Sequence, residues 1–285
     1  MPIDYAQRYL VKRMKSNNVN INRKGELIYI TFPKLENCGA VKHCFTTKMG
    51  GVSEGYFSSM NMSFNKGEPR EKTEENYRRI LKAIDSDLSH LVLSHQTHTD
   101  NIRVVTREDL GTGYTKPSFT DIDGLITKEK GLALVTQYAD CTPLIFCDPL
   151  KKVIATSHSG WRGTVKQIGA KTVFKMVDEF GCNADDIIAA IGPCVCKECY
   201  EVDDPVLEAF KKTDIDLEGV FTPSRPGHYK LDLRLANKNI LLKAGIKEEN
   251  IDIADVCTCC NSDYLYSHRV MGEKRGNLAA IIELK

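Results

Sequence analysis

Short apolar runs that are typical of β-strands constrain the fold of this chain more than any other feature. Runs such as LIYITF (27–32) and VIATS (153–157) are rich in β-branched residues and end at turn residues. Helical periodicity is strong in fewer segments, of which 71–85 and 165–180 are the clearest. Because strands and helices do not alternate strictly, a doubly wound parallel sheet is disfavoured. We predict an α/β fold with mixed β-sheets and helices on their outer faces.

The composition is typical of a folded globular chain and gives no excess charge for a polyanionic partner. The 285 residues carry 39 basic and 38 acidic side chains, a net charge of +1, and 42% are hydrophobic. This balance argues against binding to nucleic acid or to a membrane surface through bulk charge. No linker rich in Pro, Gly or Ser divides the sequence, so we expect one domain over residues 1–285.

The start of the chain predicts a cytoplasmic location. Residues 1–18 contain basic side chains but lack the uninterrupted apolar stretch of a secretory signal. No apolar run approaches the roughly 20 residues that span a bilayer. The eleven cysteines are an odd number. In a reducing compartment we expect them to be free, metal-bound or catalytic, and not fully paired.

Three polar segments that follow strand-like runs contain candidate metal ligands. They are SHQTHTD (94–100), YADCTP (138–143) and TSHSGWRGT (156–164). Two imidazoles and one thiolate would leave the fourth position of a tetrahedral zinc ion open, as in catalytic zinc sites. Such an ion lowers the pKa of water towards neutrality. The residue chemistry alone does not choose between His95 and His98, and ordinary surface or core roles for these side chains stay open.

Two segments with glycines are candidate anion-binding loops. In HSGWRGT (158–164) the glycines permit a close backbone approach, and Arg162 can bind an oxyanion through two N–H groups. The same residues could instead form a plain turn with Trp161 in the core. In KMGGVS (48–53) a glycine turn leading into a strand is the favoured interpretation.

Six further cysteines fall into two short groups. Within them, two pairs have the C-x-x-C spacing, although neither group repeats the usual pattern of a zinc-binding knuckle. We expect mostly buried, free thiols in preference to a second metal site. The groups are Cys194, Cys196 and Cys199, and Cys257, Cys259 and Cys260.

Taken together, these segments resemble the YfiH-type family, also called the laccase-domain or multicopper polyphenol oxidase family, whose members are described as purine nucleoside phosphorylases. The resemblance runs from about residue 43 to 284 and implies an α/β sandwich of mixed sheets flanked by helices. The motifs that carry it are TKMGGVS (47–53), SSMNMSF (58–64), HQTHTD (95–100), TDIDGLIT (120–127), ADCTP (139–143), HSGWRGT (158–164), IGPC with CYEV (191–202), LDLRLANK (231–238) and CTCC followed by YSHR (257–269).

The resemblance implies a zinc site and names its ligands. It selects His98 over His95 and joins it to Cys141 and His158 around one ion, with copper as an alternative metal. Asp140 is expected to orient a ligand from outside the coordination sphere, although its side chain could equally cap a turn.

Substrate-binding residues follow from the same resemblance. Arg162 is expected to hold phosphate, together with Lys48, Ser53 and Asn61. The family usually has arginine where this chain has Lys48, and lysine keeps the charge but loses the two-pronged geometry.

The implied reaction is phosphorolysis of adenosine, inosine, guanosine or S-methyl-5'-thioadenosine, accompanied by deamination of adenosine. The expected partners are therefore a purine nucleoside and phosphate. A copper oxidase of the laccase type is an alternative, but none of the seven histidines forms a His-x-His pair. A cysteine hydrolase that edits peptidoglycan precursors, with Cys141 activated by His158, is another. A zinc-stabilised binding module would instead have a closed, four-ligand site.

Overall fold

Two six-stranded β-sheets form the centre of the computed structural model, which describes residues 16–285. The first sheet pairs the chain's last strand with early strands, and only its edge pair is parallel. In spatial order its strands are Asn20–Lys24 (β1), Leu27–Thr31 (β2), Val41–Thr46 (β3), Leu278–Leu284 (β15), Ala133–Tyr138 (β7) and Leu91–Leu93 (β4).

The second sheet is also mixed, with a parallel pair at each edge and antiparallel strands between them. In spatial order its strands are Ile251–Ile253 (β14), Ile188–Ile191 (β10), Thr142–Asp148 (β8), Val153–Ser159 (β9), Gly124–Thr127 (β6) and Ile102–Val104 (β5). A small antiparallel sheet consists of Glu201–Asp203 (β11), His228–Leu231 (β13) and Phe221–Arg225 (β12).

Helices cover the outer faces of the two large sheets. Seven α-helices lie within residues 16–285, and none of them is long and apolar enough to cross a bilayer. They are Pro33–Asn37 (α1), Arg70–Ala83 (α2), Trp161–Val165 (α3), Ile168–Phe180 (α4), Asp204–Lys211 (α5), Leu233–Lys243 (α6) and His268–Met271 (α7).

Three buried apolar clusters hold these layers together. The two large sheets meet face to face in one cluster, which includes Phe45 and Ile282 from the first sheet and Ile145 from the second. Helix α2 packs on the outer face of the first sheet, and α4 and α6 cover the second. Since apolar burial contributes about 25 cal/mol per Å², these interfaces dominate the stability. The predicted sandwich of mixed sheets flanked by helices is confirmed.

The predicted continuous helix over 165–180 is wrong. The structure has two helices, α3 and α4, that are separated at Gln167, whose φ is +56°. The amide of Gln167 donates to the Thr164 carbonyl (2.9 Å) and closes the first helix. Apolar periodicity shows which face of a helix is buried, but it cannot reveal one left-handed residue. The break lets α3 lie separately at the end of β9.

Strand register brings distant motifs to one end of the second sheet. In the β8–β9 hairpin, Pro143 pairs with His158, so Cys141 lies just beyond the paired end. Strand β6 pairs with β9 on the other side, with Gly124 opposite Ser157. The residues around 123, 141 and 158 are therefore neighbours in space.

Candidate metal and substrate site

His98, Cys141 and His158 converge at this end of the sheet. One ligand atom from each side chain lies within 4.8 Å of those of the other two. The two imidazole rings are tilted by 54° with their centroids 4.9 Å apart. Cys141 is partly buried and His158 is buried, whereas His98 is exposed. The sequence separations of 43 and 17 positions gave no local sign of this convergence.

A buried hydrogen bond fixes the ring of His158. Its Nδ1 lies 2.8 Å from Oδ1 of Asp123, and both side chains are buried. The ring of Tyr138 packs against the imidazole at 5.5 Å. A carboxylate on one ring nitrogen fixes the tautomer and leaves the other nitrogen free to bind a metal.

Asp123 also organises the loop that carries His98. Its carboxylate accepts hydrogen bonds from the backbone amides of Thr97 (3.1 Å), His98 (3.1 Å) and Thr99 (2.8 Å). The Thr99 hydroxyl adds another at 2.8 Å. One buried carboxylate therefore positions two of the three converging side chains. The sequence analysis quoted the motif that contains Asp123 but did not single the residue out.

The charges of these groups fit a metal centre. Burial and the neighbouring His158 lower the pKa of His98, which favours the neutral ring that a metal binds. For His158, burial lowers the pKa, but Cys141 and Asp123 outweigh it and raise the pKa to about 9. The protonated His158 ring thus lies between the Cys141 sulfur and the Asp123 carboxylate. A divalent cation bound there would supply the positive charge that the proton now supplies. The donor set suits zinc, and it also suits copper.

The backbone at Gly160 leaves room for the ligands. A Cβ atom added there would lie 2.9 Å from both Cys141 Sγ and His98 Nδ1. Gly160 has φ −71° and ψ 175°, a conformation open to any residue. Position 160 therefore needs glycine because a Cβ atom would clash with the ligands, and not because of its backbone dihedral angles.

We expect Gly160→Ala to weaken metal binding about 10–100-fold, as when a ligand loses its support, with little effect on the fold of the metal-free protein. Competition with a chromogenic chelator measures the affinity. Gly169→Ala is the matched control, since its Cβ would meet the side chains of Leu144 (3.0 Å) and Leu241 (3.2 Å) and none of the three ligands. Equal metal affinity in Gly160→Ala and wild type would contradict the predicted arrangement.

Two cavities meet at the three converging side chains. The first has a volume of about 480 Å³ and a largely polar wall. Its lining includes His98, Cys141 and His158 together with Ser63, Lys66, Ser94, His95, Gln96, Gln137, Glu273, Arg275 and Asn277. This volume is in the range of small-molecule sites.

The second cavity has a volume of about 550 Å³ and is lined by His98 and Cys141 but not by His158. His98, Ala139, Cys141 and His268 line both cavities. Aromatic and cationic groups are added in the second by Trp161, Arg162, Tyr200 and Arg269, with Asp140, Val195 and Leu233 beside them.

Arg162 lines the second cavity, which is the position that the predicted anion-binding role requires. Its guanidinium stacks on the ring of Trp161 at 4.2 Å, and the side chain is exposed. Arg269, which lines the same cavity, stacks on Tyr200 at 5.1 Å. Two arginines therefore line the cavity that His98 and Cys141 also line.

Asp140 holds this wall together. Its φ is +85°, and its carboxylate accepts from the Thr258 hydroxyl (2.6 Å) and the Arg269 amide (2.6 Å). Its carbonyl accepts from the amide of Val195 (3.0 Å). The residue just before Cys141 is therefore tied to three separate chain segments.

The remaining predicted substrate contacts are not among the residues that line the two cavities. Lys48 Nζ donates to the carbonyl of Ser262 (2.7 Å), and Lys48 lines a separate cavity beside Tyr56. Ser53 and Asn61 are buried, and both donate to the carboxylate of Glu68 (2.9 and 3.0 Å).

The glycines after Lys48 have a packing role. A Cβ on Gly51 would lie 2.0 Å from the carbonyl oxygen of Ser59, and Gly50 has φ +87°. This segment therefore needs glycine for its own close approach to the chain.

Arg275 is a residue that the sequence analysis missed. It lines the first cavity, and its Nη1 donates to Gly276 O (3.1 Å) and to the Asn277 side chain. Its Nε is buried and has no hydrogen-bond partner within residues 16–285. Only the fold brings Arg275, just before the last strand, to this site, so no local pattern could have found it.

Comparison with known proteins identifies the family of this chain. The sequence model of the family described as "Multi-copper polyphenol oxidoreductase laccase" matches residues 42–285. The chain belongs to this family. The match covers the three converging side chains and both cavities.

Relatives in this laccase-domain family carry names of nucleoside enzymes. "Purine nucleoside phosphorylase YlmD" of Bacillus subtilis is 35% identical over 243 residues, which cover 85% of this chain and 87% of the relative. "Adenosine deaminase RL5" from an unknown prokaryote is 31% identical over 253 residues, 87% of this chain and 96% of the relative. The crystal structure of Bacillus licheniformis hypothetical protein YfiH superposes with a TM-score of 0.88 at 31% identity, covering 93% and 99% of the two chains.

The laccase-domain name suggests a site with several copper ions. The described residues offer fewer groups of metal-ligating side chains than such a site needs. Within residues 16–285, two groups of side chains bring three or more ligand atoms together. One is His98, Cys141 and His158, and the other consists of cysteines alone. Multicopper centres draw on many imidazoles, so one metal ion at the histidine-containing group is the arrangement that these residues suit.

Proposed function

We propose that this protein is a metal-dependent purine nucleoside phosphorylase that also deaminates adenosine. The convergence of two imidazoles and one thiol at the junction of two cavities carries the proposal. The names of the relatives support both activities. In phosphorolysis, a phosphate oxygen bonds to C1' while the bond from C1' to the purine nitrogen breaks. The electron pair leaves with the base, which takes up a proton, and ribose 1-phosphate is the second product.

His98, Cys141 and His158 would hold one divalent ion, with zinc as the preferred metal and copper as the alternative. Three protein ligands leave one position of a tetrahedral ion open to the cavities. When bound, the ion supplies a Lewis acid that polarises bonds and lowers the pKa of water. Asp123 keeps the His158 ring in the tautomer that binds the ion, and Asp140 positions the adjacent Cys141 through its own hydrogen bonds.

Each cavity would bind one of the two substrates. Arg162 and Arg269 give the second cavity the positive charge that phosphate requires. The polar wall of the first cavity, including Gln137 and the unpartnered Nε of Arg275, suits the hydroxyls and base edge of a nucleoside. Roles for Lys48, Ser53 and Asn61 in phosphate binding stay predictions from the sequence, since none of the three lines either cavity.

The cytoplasm is the location we propose, with residues 1–285 as one domain. All eleven cysteines are free thiols, which suits a reducing compartment.

A cysteine hydrolase is the second candidate, and the closeness of Cys141 to His158 favours it. A thiol beside an imidazole is an activated nucleophile when no metal is bound. The two candidates differ in their need for metal. Removing the metal should abolish the phosphorylase, whereas it would free the thiol for hydrolysis.

The deciding experiment measures release of purine base from adenosine and inosine with and without phosphate, alongside elemental analysis of the purified protein. We expect the release of base to require phosphate. We also expect about one metal ion to be bound by His98, Cys141 and His158. Amide cleavage by the metal-free protein without phosphorolysis would replace the proposal with the hydrolase, and dioxygen-dependent oxidation of phenols would replace it with the copper oxidase.

Arg162→Gln should raise the KM for phosphate about 10–100-fold, because a hydrogen bond to a charged group is worth roughly 1.5–3 kcal/mol. The KM for the nucleoside should change little. Arg103→Gln is the matched control, since Arg103 stacks on Phe119 in the same way at 4.5 Å but is not among the residues that line the two cavities. An unchanged phosphate KM in Arg162→Gln would remove this residue from the proposed site.

A further inference from the structure

Four cysteines outside the proposed active site form a second convergent group. Cys196, Cys199, Cys257 and Cys260, here called the four-thiol cluster, have all their sulfur atoms within 4.8 Å of one another. Cys260 Sγ lies 3.4 Å from Cys199 Sγ and 3.9 Å from Cys196 Sγ. The sequence favoured buried, mostly free thiols, but the fold brings the two C-x-x-C pairs together, and of these four only Cys257 is buried.

The parallel pairing of β10 and β14 explains the convergence. Parallel neighbours end at the same edge of a sheet, so the loops that follow them are adjacent. These loops continue the pairing through a bridge between Cys194 and Cys257, and the amide of Thr258 donates to the Cys194 carbonyl (3.1 Å). Each C-x-x-C pair then lies on a tight turn at the end of its own strand.

The distances suit a tetrahedral ion. With zinc–sulfur bonds of about 2.3 Å, the sulfurs at the corners of a tetrahedron are about 3.8 Å apart. The separations of 3.4 and 3.9 Å in the structure lie on both sides of that value. A disulfide would need an S–S distance of about 2.05 Å and would leave two of the four thiols unused.

Backbone amides are arranged to support thiolate charge in this cluster. The amides of Cys196 and Cys260 both donate to the sulfur of Cys257, at 3.2 and 3.3 Å. A metal ion binds cysteine as the thiolate, and amides that point at the sulfur would stabilise its negative charge.

We propose that Cys196, Cys199, Cys257 and Cys260 bind one structural zinc ion as a four-thiolate site. Four ligands complete the tetrahedron and leave no position for substrate, as in structural zinc sites. The ion fastens the loop after β10 to the loop after β14.

This site would steady one wall of the second cavity. Tyr200 follows Cys199 directly, and Thr258, between Cys257 and Cys260, donates to the carboxylate of Asp140 (2.6 Å). Val195, just before Cys196, donates to the carbonyl of the same aspartate (3.0 Å). Both loops therefore contact the residue that precedes Cys141.

The test uses His98→Ala as background, so that the other metal site does not contribute. The full-length variant is loaded with Co²⁺ as a probe for zinc, and thiolate-to-cobalt absorption and metal content are measured. We expect about one ion per chain with strong thiolate absorption. Adding Cys199→Ser and Cys260→Ser should abolish both signals, whereas adding Cys259→Ser, in the same loop but outside the cluster, should preserve them. Unchanged signals in the double serine variant would overturn the proposal, as would an iron–sulfur chromophore in the protein as purified.

A second measurement needs no substitution and covers the case in which the serine variants fail to fold. Native wild-type protein is alkylated with iodoacetamide, and the modified cysteines are identified by mass spectrometry. Cys260 is exposed, whereas Cys259 is only partly exposed. With metal bound, Cys260 should nevertheless react more slowly than Cys259, and a chelator should reverse the order. Equal reactivity without chelator, or protection that yields only to a reductant, would contradict the zinc site.

Discussion

Replacing His98 with alanine is expected to lower phosphorolysis about 10³-fold or more while the fold is retained. A Lewis acid contributes several kcal/mol to transition-state stabilisation, and each ~1.4 kcal/mol is tenfold in rate. The side chain of His98 is exposed, so its removal creates no cavity in the core. Turnover and metal content, measured on the same preparation, check the prediction.

A glycine variant separates the chemistry of His98 from its backbone. His98 has φ +63°, a left-handed conformation that costs a residue with a Cβ roughly 1–2 kcal/mol. His98→Gly should therefore lose activity as His98→Ala does, yet its metal-free form should be more stable in urea than that of His98→Ala. Retained turnover in both variants would exclude His98 from the metal site. Unfolding of both would indicate a structural role instead.

Replacing Asp123 with asparagine should destabilise the protein by about 3–5 kcal/mol, the usual cost of disrupting a buried charged network. An amide nitrogen would face backbone N–H groups that now find a carboxylate oxygen, and buried donors would be left unpaired. Because the ring of His158 and the loop of His98 lose the same support, metal affinity should fall about 10–100-fold as well. Urea denaturation of the metal-free variant and chelator competition measure the two effects.

Asp121→Asn is the control for this change, since Asp121 lies in the same segment but is exposed and accepts a hydrogen bond from Thr97 Oγ1 (2.7 Å). Asparagine tolerates its φ of +51°, and the stability should change by less than about 0.5 kcal/mol. Similar losses in the two variants would mean that the five contacts of Asp123 contribute no more than a surface carboxylate.

The layers of the fold could be predicted from the sequence because they depend on local patterns. Apolar runs with β-branched residues mark β2, β7 and β9, and their alternation with turns limits each strand to a few residues. The small sheet of β11, β12 and β13 could not be predicted, because its strands are short, few of their residues are buried, and they carry no apolar pattern.

The candidate site could be predicted from the sequence only in part. The chemistry of the side chains indicated Cys141 and His158 as metal ligands, and the family resemblance selected His98. Asp123 and Arg275 act through contacts that strand register and a distant chain segment create, so composition and spacing carry no sign of them. The pairing of the two C-x-x-C groups depends on β10 lying beside β14, and a parallel pair with about 60 intervening residues cannot be identified from periodicity.

The residues shared by the two cavities have a consequence for inhibitors of the proposed phosphorylase. His98 and Cys141 line both cavities, so a molecule that spans the two could occupy them together. A purine joined by a short linker to a phosphonate would gain from effective concentration, since docking one end raises the local concentration of the other to the millimolar range. Such a tethered compound should bind far more tightly than either half, and its best linker length would report the distance between the two substrates.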